Sequence, residues 1–175
     1  MIIWLIGISG AGKTTIGKEL YSKLKKRIKN IIFLDGDLFR ELMNNDIGYS
    51  QNDRNKNAER MIKFAEYLLK QKINIIFSAN LTAKKYRNIA KKKFKNRYFE
   101  VLIDTSLKTL IKNRDYKNLY KKALKKEIKN VVGVDIKYLK PKKPNLIINN
   151  NETRKNFNQI CNLIIKKSNI IKKKL

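Results

Sequence analysis

The sequence of 175 residues contains no histidine, one cysteine, two prolines and seven glycines, and only 14 acidic residues stand against 42 basic ones. The absence of histidine removes the commonest general base and leaves proton transfer near neutral pH to a carboxylate. A single cysteine excludes an intrachain disulfide and a C-x-x-C metal or redox site. Cys161 lies in an apolar run with Ile160, Leu163, Ile164 and Ile165 and reads as a small buried hydrophobe. No apolar run approaches the ~20 residues of a membrane span. The opening Met1-Ile2-Ile3-Trp4-Leu5-Ile6 is too short for a signal peptide and lacks its basic flank, so a cytoplasmic protein is expected. There is no Gly/Ser linker, internal repeat or composition break. One domain over residues 1–175 is expected, long enough to bury roughly two-thirds of the surface its unfolded chain exposes.

The net charge of +28 invites a polyanion as partner, because basic surfaces bind nucleic acid through counterion release. The charge is carried mainly by lysine spread over runs such as Lys91-Lys92-Lys93 and Lys172-Lys173-Lys174, whereas arginine, the usual base-reading residue, occurs only eight times. That distribution reads as solvated lysine faces, and nucleic acid is not expected as the main partner. The surface should still steer small anionic nucleotides toward the protein at low salt.

Short β-branched or aromatic runs predict strands over 2–6, 31–34, 73–77, 99–103 and 146–148. Helical patterns fall between them, over 13–28, 54–71, 83–94, 107–114 and 154–167, the last followed by a basic tail to 175. In the second, Ala58, Met61, Ile62, Ala65, Leu68 and Leu69 share one face. Strands that are apolar throughout and alternate with helices indicate an α/β fold, a doubly wound, mainly parallel five-stranded sheet covered on both faces.

In a chain so poor in glycine, the few glycines mark places where backbone needs positive φ or close approach to a ligand. Six of the seven fall in four short segments, at Gly7, Gly10 and Gly12, at Gly36, at Gly48 and at Gly133, expected to line one cleft at the carboxyl ends of the strands. The first segment, Gly7-Ile8-Ser9-Gly10-Ala11-Gly12-Lys13-Thr14, follows a predicted strand, precedes a predicted helix and satisfies G-x-x-x-x-G-K-[ST]. Small residues such as Ser9, Gly10 and Ala11 let backbone N–H groups curl around phosphates, Lys13 neutralises β- and γ-oxygens, and the Thr14 hydroxyl serves Mg²⁺. Thr15 follows in the first helical turn, whose positive dipole end adds to the site. ATP with Mg²⁺ is the implied ligand, and the three-layer P-loop NTPase fold the implied frame.

Asp35 and Asp37 come next, in Leu34-Asp35-Gly36-Asp37 at the end of the second strand. An extended backbone puts both carboxylates on one side, facing the phosphate loop. A kinase needs such a pair, one carboxylate for the hydrated Mg²⁺ and one to accept the acceptor hydroxyl's proton. The alternative is an Asp-Gly turn with a helix-capping Asp37. Arg40, Arg54 and Arg60 stand out as guanidinium choices in a chain that uses lysine by default, and suit bidentate anion binding. The lysine-rich stretch beyond Asn113-Arg114-Asp115, up to Asp135, suits a mobile lid over 114–135 that excludes water; an exposed basic helix is the plainer alternative.

The order GISGAGKTT, LDGD-x-x-R, GYS-x-x-DR, FEVLIDTSL, NRDYKNLYKKALKKEIKN, VVGVD and YLKPKKPNLII resembles the adenylylsulfate (APS) kinase family over residues 1 to about 149. The resemblance implies transfer from ATP to the ribose 3′-hydroxyl of a nucleoside 5′-phosphate anhydride. It implies that Lys13 and Thr14 hold phosphate and Mg²⁺, that Asp35 is the base and also stands on the metal side, and that Asp37 supports it. Arg114 resembles the residue packed on the ATP adenine. On the acceptor side it implies Asp37, Arg40, Tyr49 against the base, Arg54, Asn57, Ser78, the lid lysine Lys122, and Val131. Family members are commonly dimers.

The departures lie on the acceptor side. FTGID is replaced by Val131-Val132-Gly133-Val134-Asp135, which removes a phenylalanine from the second face of the acceptor base, where an aromatic stack contributes about 1–3 kcal/mol. FISP is replaced by Phe77-Ser78-Ala79-Asn80, so the family's serine phosphorylation does not carry over to Ser78. The paired arginines become Glu59-Arg60, and the lid Lys-Lys-Ala-Arg becomes Lys121-Lys122-Ala123-Leu124. An intact ATP side with an altered acceptor side suggests a kept reaction and a changed acceptor. The VVGVD variant resembles a branch that phosphorylates cytidine diphosphoramidate in capsule phosphoramidate assembly. APS and the cytidine compound both remain open, with another small-molecule P-loop kinase and a basic nucleotide- or nucleic-acid-binding module as further alternatives.

Overall fold

A computed structural model describes residues 1–151 and 156–171. Five strands, β1 (Ile2–Ile6), β2 (Ile31–Asp35), β3 (Asn74–Ser78), β4 (Tyr98–Asp104) and β5 (Leu146–Asn149), form one sheet in the order β2-β3-β1-β4-β5. All pairs are parallel. The helices are α1 (Lys13–Lys25), α2 (Gly36–Leu42), α3 (Gln51–Lys70), α4 (Lys84–Phe94), α5 (Leu107–Asn113), α6 (Leu119–Leu124) and α7 (Phe157–Ser168).

Alternation along each strand sends side chains to two cores. Met1, Ile3, Leu5, Val101, Ile103 and Ile148 face α1 and α7, joining Ile16, Leu20, Leu24, Ile160 and Cys161. Ile2, Trp4, Ile6, Leu34, Ile75 and Phe77 face α3 and α4, joining Met61, Ala65, Leu69, Tyr86 and Phe94. Cys161 is fully buried, as its apolar neighbours predict, and burial pushes its thiol up to about 11. Gly17 lets α1 lie close to β2, because a Cβ there would come within 2.4 Å of the Phe33 ring.

The register aligns the carboxyl ends of the strands. Leu5 and Asp35 both pair with Ser78, and Asp104 pairs with Asn149, so the segments after β1, β2, β3 and β4 all emerge on one edge. The five predicted strands stand within a residue or so at each end. The short helix α2 and the first turn of α3 were not predicted, and α6 falls in the stretch whose plainer reading was an exposed basic helix. Ser50 starts α3 three residues ahead of the predicted bound, through a reciprocal capping box with Asp53. The predicted last helix and tail fall partly outside the described residues, at 154–155 and 172–175. Among the described residues, no helix is long and apolar enough to cross a membrane.

Candidate active site

The phosphate loop leaves β1 at Gly7, where a Cβ would lie 2.6 Å from the Ile103 carbonyl oxygen. It enters α1 at Gly12, the helix N-cap, in the left-handed region at φ 99°. No side chain caps that helix start, so its first-turn N–H groups remain available to an anion. Three loop carbonyls are held by side chains, two of them from distant segments. Asn150 Nδ2 donates to the Ala11 carbonyl at 2.8 Å, Tyr120 Oη to Ser9 at 2.7 Å and Lys13 Nζ to Ile8 at 3.0 Å. Ser9, Gly10, Thr14 and Thr15 are exposed on the open side. Burial lowers the Lys13 ammonium from 10.5 to about 8, with Asp35 and Asp37 pulling it up and Arg54 pressing it down.

Asp35 ends β2 and caps α2. Its Oδ2 accepts from the Thr14 hydroxyl at 2.6 Å, and its Oδ1 accepts from the Asp37 N–H at 3.0 Å. The Thr14 hydroxyl is also 3.4 Å from Ser78 Oγ. The extended Asp35–Asp37 backbone expected from the spacing is therefore not found. Gly36 and Asp37 are already helical, the cap is Asp35 and not Asp37, and the Asp37 side chain stands exposed in the first turn. Both carboxylates still act electrostatically on Lys13. The paired oxygens of Thr14 and Asp35 fit a hydrated Mg²⁺ that completes its shell with waters and substrate phosphates. Among the described residues, no cluster of three or more His, Cys, Asp or Glu offers a protein-only cage.

On the acceptor side, Arg40 is buried and its Nη1 donates to the Gly48 carbonyl at 2.8 Å and that of Ile47 at 3.3 Å. Arg54 Nε donates to the Tyr49 carbonyl at 2.8 Å. The two guanidiniums lie 4.6 and 5.5 Å from the Tyr49 ring centroid, so this loop is pinned by cations on both sides. Arg60 is held by a two-point ion pair with Asp46, at 2.6 and 2.7 Å, which accounts for its choice without a ligand. Asn57 is buried on the inner face of α3, and its Oδ1 meets no donor. A cleft of about 450 Å³ opens between Gln51 and Asn55 of α3, Thr82 and Ala83 after β3, and Asp135 to Lys137.

The segment from 114 to 135 is built around a small core of its own. Ile8 of the phosphate loop packs with Leu110, Tyr120, Ala123, Val131 and Val132. Arg54 Nη2 donates to the Asn130 carbonyl at 2.9 Å, and Asp135 accepts from the Val131 N–H at 2.6 Å. Val131 is 5 % exposed inside this core and does not form an open wall for a base. Lys122 is exposed on the following helix turn. Arg114 caps the end of α5, its carbonyl oxygen 3.3 Å from where a Gly10 Cβ would stand. The sequence reading missed Asn150 and Tyr120. Their available signals were a polar Asn149-Asn150-Asn151 run at the end of an apolar strand and an aromatic residue within a lysine-rich stretch.

Residues 1–149 match the family profile described as adenylylsulphate kinase. The chain is 45% identical over 166 residues to the cytidine diphosphoramidate kinase of Campylobacter jejuni subsp. jejuni serotype O:2, covering 95% of each. It is 36% identical over 151 residues to a probable adenylyl-sulfate kinase of Pseudomonas aeruginosa, covering 86% of this chain and 70% of that one. Among solved structures, the Mycobacterium tuberculosis APS kinase in complex with AMPPNP and APS superposes with a TM-score of 0.83 at 30% identity, covering 95% of both chains.

Proposed function

The chain belongs to the adenylylsulphate kinase family, and from that membership we propose that it moves the γ-phosphoryl group of Mg·ATP onto the ribose 3′-hydroxyl of cytidine diphosphoramidate. The observation that carries the transfer itself is the Asp35 carboxylate, held between the Thr14 hydroxyl and the Asp37 N–H beside Lys13. In this reading Asp35 takes the 3′-hydroxyl proton as the new O3′–P bond forms. The bond from the γ-phosphorus to its bridging oxygen breaks, and ADP leaves with that electron pair. Lys13 and the N–H groups at the start of α1 meet the charge on the transferred group. Mg²⁺, when bound, neutralises β- and γ-oxygens beside Thr14 and Asp35.

Two observations favour the cytidine acceptor over APS. Identity is higher to the cytidine diphosphoramidate kinase than to the adenylyl-sulfate kinases. A departure from family sequence also lies on the acceptor side, at Asn80, two residues beyond Ser78 on the loop after β3. In this reading Arg40, Tyr49, Arg54 and Asn57 hold the acceptor, with Ser78 between acceptor and metal. The test is a panel of cytidine diphosphoramidate, APS, CDP and CMP, each incubated with Mg·ATP and read by mass. A gain of one phosphate on the first, at higher kcat/KM than on APS, is expected. Preference for APS would replace the cytidine acceptor and keep the reaction, and no transfer to any member would refute it.

A further inference from the structure

Two side-chain oxygens on the elements that flank the acceptor cleft, Asn57 Oδ1 on α3 and Asn80 Oδ1 after β3, are buried without a hydrogen-bond donor. Asn57 is 4 % exposed and interrupts the apolar stripe of α3, next to Ala58 and one turn before Met61. Asn80 leaves β3 two residues beyond Ser78, the register partner of Asp35. The backbone between them is fixed, because Ala79 presses on α2, where a Gly36 Cβ would lie 3.0 Å from Ala79 Cβ. The Ala79 carbonyl also accepts from Trp4 Nε1 at 2.9 Å.

The same loop is locked from its far side. Buried Arg87 donates to the carbonyls of Leu81 and Thr82, and Gln51 Nε2 of α3 donates to Thr82 Oγ1 at 3.2 Å. Asn57 and Asn80 are therefore carried on ordered backbone, on the two elements whose Gln51, Asn55, Thr82 and Ala83 line the 450 Å³ cleft. A buried acceptor left without a donor is costly, and an apolar residue would fill the stripe of α3 at no such cost. Oxygens kept in this state beside a binding cleft are suited to a donor that arrives with the ligand.

We infer that Asn80 accepts an N–H group of the acceptor, beside the Asn57 that the family resemblance already implies there, and that it determines specificity by favouring an acceptor with an N–H over one that presents only oxygens at that point. The inference rests on the phosphotransferase reading given above. A sulfate or an unsubstituted terminal phosphate offers oxygens alone, which repel a carbonyl oxygen. A phosphoramidate ends in –NH₂, and cytosine carries an exocyclic amine, so either could supply the donor. Discrimination of this kind follows from leaving a buried site group unpaired when the wrong ligand binds.

The experiment compares cytidine diphosphoramidate with CDP, which lacks the amidate N–H, and with uridine diphosphoramidate, which lacks the base amine. kcat/KM is measured for wild type, Asn80→Ala and the isosteric Asn80→Asp, which keeps an acceptor oxygen and guards against misfolding of the alanine variant. The readout is the ratio between acceptors within each protein, so a uniform loss cancels. In wild type, the acceptor with the recognised N–H should be preferred, and Asn80→Ala should shrink that preference roughly tenfold, while Asn80→Asp retains it. Collapse of the ratio to CDP identifies the amidate, and collapse of the ratio to uridine diphosphoramidate identifies the base amine. Equal loss toward all acceptors in Asn80→Ala overturns the role of Asn80 and leaves the proposed reaction standing. Failure of the wild type to phosphorylate any of the three overturns both.

Discussion

Lys13 holds its proton less tightly than a surface lysine, because burial lowers its value from 10.5 to about 8 against the pull of Asp35 and Asp37. Between those two values the unfolded chain binds the proton and the folded chain does not, so this group's contribution to stability rises with pH in that window. Nucleotide binding has the opposite sign, since the ammonium must be charged to meet phosphate oxygens. kcat/KM for Mg·ATP should fall about tenfold per pH unit above about 8, whereas kcat holds to higher pH because bound phosphates raise the lysine's value. Calorimetry at pH 9 in two buffers of different ionisation heat should register proton uptake on ATP binding. A flat kcat/KM from pH 7 to 9.5, with no uptake, would show that the Lys13 charge is not what meets the nucleotide. Asp35→Asn keeps the shape of the cap but cannot take a proton, and should lower kcat by at least ~10²-fold. Asp37→Asn should be milder, because the contribution of residue 37 to the Asp35 geometry is its backbone N–H, which the substitution retains. A larger loss in Asp37→Asn, measured in single turnovers, would reverse the two roles.

At the scale of elements, the segment from α5 to Val132 closes a small hydrophobic core onto Ile8 of the phosphate loop. Val131 is inside that core, so Val131→Phe adds ring volume where Leu110, Tyr120 and Ala123 already pack. Overpacking of this kind costs typically 1–3 kcal/mol. The variant should lower the denaturant midpoint at unchanged m-value and raise KM for Mg·ATP, with no gain in APS binding. Tighter APS binding at unchanged stability would place Val131 on the acceptor wall instead. The strands and the phosphate loop were legible in the sequence because each is local, a β-branched run or a glycine spacing bounded by its own residues. Asn150 and Tyr120 were not legible, since their partners Ala11 and Ser9 lie 139 and 111 residues away. The start of α3 was legible in principle, as Ser50-Gln51-Asn52-Asp53 is a capping box with aspartate in the glutamate position. The Asp35–Asp37 pair was legible in identity and not in backbone geometry, because α2 begins immediately after the strand and puts Asp37 in its first turn.

Across the whole molecule, parallel strands bring the ends of β1, β2 and β3 to one edge, and the chain as a whole carries a net charge of +28. Lys13, Arg40 and Arg54 are held in place by hydrogen bonds to backbone carbonyls. The remaining lysines lie largely on solvated faces, where their field reaches only about a Debye length, falling from about 30 Å at 0.01 M to about 8 Å at 0.15 M salt. Both substrates are polyanions, so the distributed charge should act on encounter and not on the chemical step. Raising ionic strength across that range should therefore lower kcat/KM for Mg·ATP and for the acceptor several-fold, while kcat measured at saturation changes by less than about twofold. Chloride and acetate at equal ionic strength should give the same curve, which separates screening from occupation of the phosphate site by a particular anion. If kcat/KM is unchanged between 0.01 and 0.15 M salt, the lysine excess has no part in substrate capture, and the cationic groups inside the cleft alone account for nucleotide binding.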